Sequence, residues 1–160
     1  MASNSQHRYN WIQDGLSYTF ISKDGIKYRA YFVDISEYYP QFPDTYSFSI
    51  EPENPKAHPI DTKISLTVAE ILRHFFQKQE NAMIMVCDSV DGKEEKRRKV
   101  FDRWFDKYAD GSILKYDASA PLDDYRLFIS IYFTRNNPNK ELLLQSFYDL
   151  LKTDLYQIGI

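Results

Sequence analysis

Alternating apolar and polar side chains dominate the first third of the chain. The alternation runs through Leu16–Ser22 and Ile26–Ile35, and the turn-forming pair Asp24-Gly25 stands between them. This pattern predicts a β-hairpin whose core-facing side chains are Tyr18, Phe20, Tyr28 and Phe32. Since successive strand residues point to opposite faces, Arg29 and Tyr31 are expected on the other side of the hairpin.

A helical period replaces this alternation in two later segments. Apolar residues from Val68 to Phe76 recur at three- and four-residue steps, and Thr67 with Glu70 fits a capping box that starts a helix. Near the end of the chain, Asn137 is the predicted cap of a last helix. Its predicted buried stripe consists of Leu143, Leu144, Phe147, Tyr148, Leu151 and Leu155.

The remaining elements complete a fold prediction. Further strands are predicted at Thr45–Glu51, Ala82–Cys87, Ile113–Tyr116 and Tyr125–Phe133, with an edge strand at Tyr156–Ile160. A third helix follows Ala82–Cys87, which is apolar enough to be buried on both faces. The predicted class is α+β, with a mainly antiparallel sheet of about five to six strands covered by three helices. Residues 1–160 are expected to form a single globular domain, with residues 1–10 disordered.

Composition narrows the functional classes. The chain has 160 residues, of which 43% are hydrophobic and 27% charged, and its formal net charge is −3. An acidic protein with a pI near 5.6 is not expected to bind nucleic acid over its whole surface. One cysteine rules out an internal disulfide framework. The polar start lacks the apolar core of a signal peptide, so a soluble, cytoplasmic protein without a membrane partner is predicted.

The segment Ala82–Phe105 joins a buried strand, an acidic turn and a basic helix. Residues 93–99 hold five basic and two acidic side chains, a local positive excess in a negatively charged protein. One interpretation is structural, with Asp91 and Glu94 as a capping box and the other charges in solvent. The alternative is a surface that binds a partner. Its candidate binding residues are Asp88, Ser89, Asp91, Lys93, Lys96, Arg97 and Arg98.

A second candidate surface is the aromatic, proline-containing loop Glu37–Pro43. Its aromatic side chains either plug one end of the sheet or stand exposed as interface anchors, since aromatic residues are enriched at interface centres. In the second case Tyr38 and Tyr39 are binding residues.

Catalytic equipment is sparse. A hydrolase using Cys87 or Asp88 is one alternative, because the end of a strand before a helix is a common place for a nucleophile. Nucleic-acid binding through the basic helix at residues 93–99 is another. No metal or cofactor is predicted. The preferred interpretation is a non-enzymatic protein-binding module of the inhibitor or immunity type.

One block of residues resembles a known family signature. Cys87-Asp88-Ser89-x-Asp91-Gly92, followed by Arg98-Lys99-x-Phe101 and Trp104-Phe105, is similar to the pattern of a small Bacteroidetes-type bacterial family of unknown function. That family often has arginine at the position of Lys93. The resemblance implies a bacterial, cytoplasmic protein and brings no activity, substrate or catalytic residue with it.

Overall fold

The computed structural model describes residues 8–54, 61–88, 102–103, 105–107, 110–122 and 125–152. The strands are β1 (Trp11–Asp14), β2 (Ser17–Ile21), β3 (Lys27–Asp34), β4 (Thr45–Pro52), β5 (Ala82–Asp88), β6 (Ile113–Leu122) and β7 (Tyr125–Thr134). The helices are α1 (Thr62–Phe75), α2 (residues 102–103 and 105–107) and α3 (Lys140–Lys152). This arrangement confirms the α+β class, while the predicted edge strand Tyr156–Ile160 lies outside the described residues.

The sheet has more strands than predicted, and one of its strand pairs is parallel. Seven strands take the order β1-β2-β3-β4-β5-β7-β6, and β4 runs parallel to β5 over Thr45–Ser47 and Ala82–Ile84. The connection from β4 to β5 contains α1, which is the kind of crossover that parallel neighbours require. The sequence missed β1, because Ile12 and its neighbours in the strand are mostly exposed and show no buried alternation.

The chain divides into two compact units, residues 1–33 with 48–77 and residues 34–47 with 78–160. In the first unit, Phe32 stacks on Phe75 of α1 with 4.0 Å between ring centroids. The four side chains predicted to face the core of the hairpin are all buried. Gly25 has a φ of 76°, which suits the predicted turn between β2 and β3.

Helix α1 begins earlier than its predicted capping box. Asp61 is the N-cap, and its Oδ1 accepts a hydrogen bond from Ile64 N–H at 2.6 Å. Thr67 lies inside the helix, where its hydroxyl donates to the Lys63 carbonyl at 2.7 Å. The prediction of a cap at Thr67 is therefore wrong. A threonine that serves a tertiary contact was mistaken for a local helix signal.

The second unit has its own apolar core between β5, β7 and α3. Phe147 and Leu143 of α3 are fully buried there, together with Ile84 and Ile131. Tyr148, predicted for the buried stripe, is 48% exposed, whereas Leu150 is buried. Asn137 lies before α3 and donates to the Glu80 and Asn81 carbonyls. The helix itself begins at Lys140, three residues after the predicted cap.

Buried tyrosines make the stability of the first unit sensitive to alkaline pH. Burial raises the pKa of Tyr18 and Tyr28 above the ordinary value of 10.0. Their stabilising contribution is fully present below about pH 10 and is lost as the pH rises through the raised values, because the unfolded chain ionises first. Urea titrations at about pH 9 and about pH 11 should show this loss in the wild type and a smaller loss in Tyr28→Phe. Equal losses in the two proteins would contradict the assignment.

Candidate functional site

Three antiparallel strands form a regular outer face in the first unit. Ile12 of β1 stands opposite Thr19 of β2, and Thr19 stands opposite Arg29 of β3. Directly paired residues project to the same side of a sheet, and every second residue of a strand shares that side. The outer face therefore consists of Ile12, Asp14, Ser17, Thr19, Ile21, Lys27, Arg29, Tyr31 and Val33.

Aliphatic side chains of the outer face are open to solvent. Ile12 is 77% exposed, Ile21 is 59% exposed, and Val33 is also exposed. The opposite side of the same strands carries the aromatic core that packs on α1. Single exposed apolar residues are common, but several on one face are typical of a surface that binds another molecule.

The charges of the outer face are not uniform. Arg29 forms an ion pair with Glu51 at 3.3 Å, and its guanidinium lies 4.3 Å from the ring centroid of Tyr31. A shallow cavity of about 360 Å³ beside this pair is lined by Thr19, Lys27, Arg29, Glu51, Pro52 and Glu53. Both signs of charge are present there, so this part of the face has little net charge.

A larger cavity adjoins the outer face and has a different character. It measures about 670 Å³, shares Thr19 and Lys27 with the smaller cavity, and is here called the basic groove. Its lining residues are Arg8, Tyr9, Asn10, Ile12, Thr19, Phe20, Ile21, Lys27 and Lys63. Three of these are cationic and none is acidic. The groove thus concentrates positive charge beside exposed isoleucines.

Tyr9 lines the basic groove and belongs to the segment 1–10, for which the sequence predicts disorder. It is 8% exposed, and its N–H donates to Thr67 Oγ1 at 2.8 Å. Its hydroxyl donates to Asp61 Oδ2 and accepts from Lys23 N–H, both at 3.1 Å. One phenol therefore joins the N-cap of α1 to the turn between β2 and β3.

The two candidate tyrosines of the loop Glu37–Pro43 have different environments. Tyr38 is 78% exposed, whereas Tyr39 is partly buried against the core of the second unit, where Phe42 is fully buried. The carbonyl of Ile35 accepts from the N–H groups of both tyrosines, which fixes the turn. Within the loop, Tyr39 and Phe42 pack against this core, whereas the side chain of Tyr38 is exposed to solvent.

Most of the other predicted site residues fall on the segment 89–101, outside the described residues. These are Ser89, Asp91, Lys93, Lys96, Arg97 and Arg98. For Cys87 and Asp88 the backbone alone is described. Asp88 belongs to β5, where it pairs with Leu127, while Cys87 pairs with Phe128.

A cluster of charged side chains in the second unit links α2 to the sheet. Lys115 donates to Asp102 and to Asp117, and Ser130 Oγ donates to Asp117. Burial alone would lower the pKa of Lys115, but the hydrogen bonds and charges of the two aspartates raise it above 10.5. The amine stays protonated at neutral pH, so this cluster is an ion-pair network rather than a nucleophile.

Two further features concern the described part of the chain. No group of three or more His, Cys, Asp or Glu side chains lies close enough to hold a metal ion there. Within the same residues, no helix has the length and apolar character needed to cross a membrane.

Comparisons with known proteins provide a family but no activity. A model of a family of unknown function, DUF6169, matches residues 60–149, which is more than half of the chain. No curated protein matches the sequence. A solved structure entitled "The structure of a CoA-dependent acyl-homoserine lactone synthase, MesI" is similar over 89% of this chain and 72% of that chain, at 9% identity and a TM-score of 0.38. The predicted resemblance to a family of unknown function is confirmed at this coarse level.

The basic groove was not identified from the sequence. Alternation did place Arg29 and Tyr31 on the outer face, and Ile21 at an outward strand position was a usable signal. Arg8 and Lys63 carried no such signal, because they lie far from Lys27 in the sequence and meet it only in the folded protein.

Proposed function

We propose that this chain, which belongs to the DUF6169 family of unknown function, is a non-enzymatic protein-binding module. The outer face of β1–β3 is its docking surface. An inhibitor or immunity role fits a small, acidic domain rich in aromatic residues, and the sequence resemblance adds only the expectation of a bacterial cytoplasm.

The observation that carries this proposal is the exposure of Ile12 and Ile21 on one face of the paired strands β1–β3. Burying a large aliphatic side chain contributes roughly 1.5 to 3 kcal/mol, so two such anchors supply a substantial driving force for association. Strands hold their side chains in fixed directions, and binding therefore costs little additional ordering. Lys27 and Arg29 lie among the apolar residues and add polar specificity at the edge of the contact.

Two alternatives remain predictions. Nucleic-acid binding through residues 93–99 and hydrolysis through Cys87 or Asp88 both depend on side chains outside the described residues. The exposed Tyr38 of the other unit is a second candidate for contact with the partner, and the variant Tyr38→Ala tests it separately.

The proposal is tested by replacing Ile12 and Ile21 together with glutamate. Both side chains are already exposed, so the free energy of unfolding should change by less than about 1 kcal/mol. The variant should fail to capture a partner that the wild type captures from a bacterial lysate. With the partner purified, the dissociation constant should rise at least about a hundredfold, as expected when two buried anchors are lost.

Leu142→Glu is the matched control, because Leu142 is an exposed leucine on α3 of the other unit. Leu142→Glu should leave the affinity for the partner unchanged. The variant Tyr38→Ala tests whether the loop Glu37–Pro43 contributes to binding. Equal affinity of the wild type and the double variant would contradict the proposed surface. Light scattering distinguishes a second copy of the chain from a different protein as the occupant.

A further inference from the structure

The basic groove combines fixed positive charge with exposed apolar surface. Arg8 donates from Nη1 to the Tyr9 carbonyl at 3.1 Å, and its guanidinium lies 3.9 Å from the ring centroid of Trp11. Lys63 Nζ lies 4.7 Å from the ring centroid of Tyr9. These contacts hold two of the three cations near the groove before anything binds.

The apolar part of the groove limits the class of ligand. Ile12 and Ile21 line it and are among the most exposed aliphatic side chains in the described chain. A small inorganic anion would satisfy the cations but leave the isoleucines in water. A ligand that uses both features carries negative charges and apolar groups along one chain.

A nucleic acid fits the same surface less well. Single strands gain affinity by stacking their bases on exposed aromatic rings. In the groove, however, Tyr9 is buried, and its ring centroid lies 6.0 Å from that of Phe20 and 4.7 Å from Lys63 Nζ. The adjoining smaller cavity carries Glu51 and Glu53 beside Lys27 and Arg29, so the excess of positive charge does not continue along the path that a phosphate backbone would need.

We infer that the basic groove binds an acidic peptide segment of the partner protein, with its carboxylates at Arg8, Lys27 and Lys63 and its apolar side chains on Ile12 and Ile21. This inference rests on the proposed function and names the chemistry of the partner. The acidic end of the segment lies in the basic groove, and an uncharged or basic continuation passes Glu51 and Glu53.

The probe is a fluorescent peptide with an acidic end of mixed glutamate and leucine residues and an uncharged glycine-serine continuation, titrated against the full chain by anisotropy. Binding should weaken as salt increases, because exposed charges are screened. Reversing two cations with Lys27→Glu and Lys63→Glu should raise the dissociation constant about tenfold or more. Lys63 lies in the first turn of α1, where glutamate is favourable, so this change does not threaten the helix.

Lys23→Glu with Lys78→Glu is the matched control, since it makes the same change in net charge at two exposed lysines outside the groove. It should alter the affinity by less than about threefold. A peptide with glutamine in place of glutamate should bind at least about tenfold more weakly. Undetectable binding of the glutamate peptide, unchanged affinity of the groove variant, or tighter binding of the glutamine peptide or of an oligothymidylate would overturn the inference.

Failure of this inference is distinguishable from failure of the proposed function. A purified complex that depends on Ile12 and Ile21 but not on Lys27, Lys63 or salt would retain the docking surface and reject an acidic partner. A complex that depends on none of these residues would reject both.

Discussion

Replacing Tyr9 with alanine is expected to lower the free energy of unfolding by about 3 to 5 kcal/mol. The phenol is buried, and its ring lies near Phe20 with 6.0 Å between the centroids. Alanine would leave a cavity there and would remove the hydroxyl bonds to Asp61 and Lys23. Urea denaturation measures the loss, and an unchanged slope with urea concentration would show that the same transition is being compared.

Two variants separate the contributions to this loss. Tyr9→Phe keeps the ring and removes the hydroxyl, so it should cost about 1 to 2 kcal/mol. Tyr38→Ala deletes the same side chain at a position that is 78% exposed and should cost less than about 1 kcal/mol. If Tyr9→Ala cost no more than Tyr38→Ala, the start of the chain would be disordered, as the sequence alone predicted.

Phe147→Ala is expected to have an effect of similar size in the second unit, about 3 to 5 kcal/mol. Phe147 has no exposed surface and packs in the core with Leu143 and Ile131. Its neighbour Tyr148, which the helical period also assigned to the buried stripe, is the matched control. Tyr148→Ala should cost less than about 1 kcal/mol, and equal losses at the two positions would favour the predicted stripe over the observed one.

The same variants test whether residues 1–160 behave as the predicted single domain. In a single cooperative domain, Tyr9→Ala and Phe147→Ala shift one common unfolding transition, whichever unit carries the substitution. Two transitions, each moved by only one of the variants, would contradict that prediction. Fluorescence and circular dichroism followed on the same samples provide the comparison.

Features that depend on neighbouring residues were predicted more accurately than features that depend on residues far apart in the sequence. The β2–β3 hairpin was predicted because its alternation and its Asp-Gly turn are local signals. The helix starts were less accurate. Thr67 matched a capping motif, yet its hydroxyl accepts from Tyr9 N–H, 58 positions away in the sequence. A local pattern cannot reveal that such a residue has a distant partner.

In the candidate site, too, local features were predicted and features formed by distant residues were not. Outward positions of the hairpin strands were readable from their alternation, and so the placement of Arg29 was predicted. The basic groove was not, because Arg8, Lys27 and Lys63 come from three separate segments of the chain. The acidic turn and basic helix, which the sequence emphasised, lie mostly outside the described residues and stay predictions.

The sequence by itself determined the α+β class, most of the strands and the buried faces of the hairpin, because side-chain periodicity and turn chemistry act between near neighbours. Only the tertiary structure decided the parallel β4–β5 pair, the edge strand β1 and the groove above Tyr9. Strand direction depends on the path of a connection through space, and a groove depends on which distant side chains meet. The order of apolar and polar residues along one segment determines neither of them.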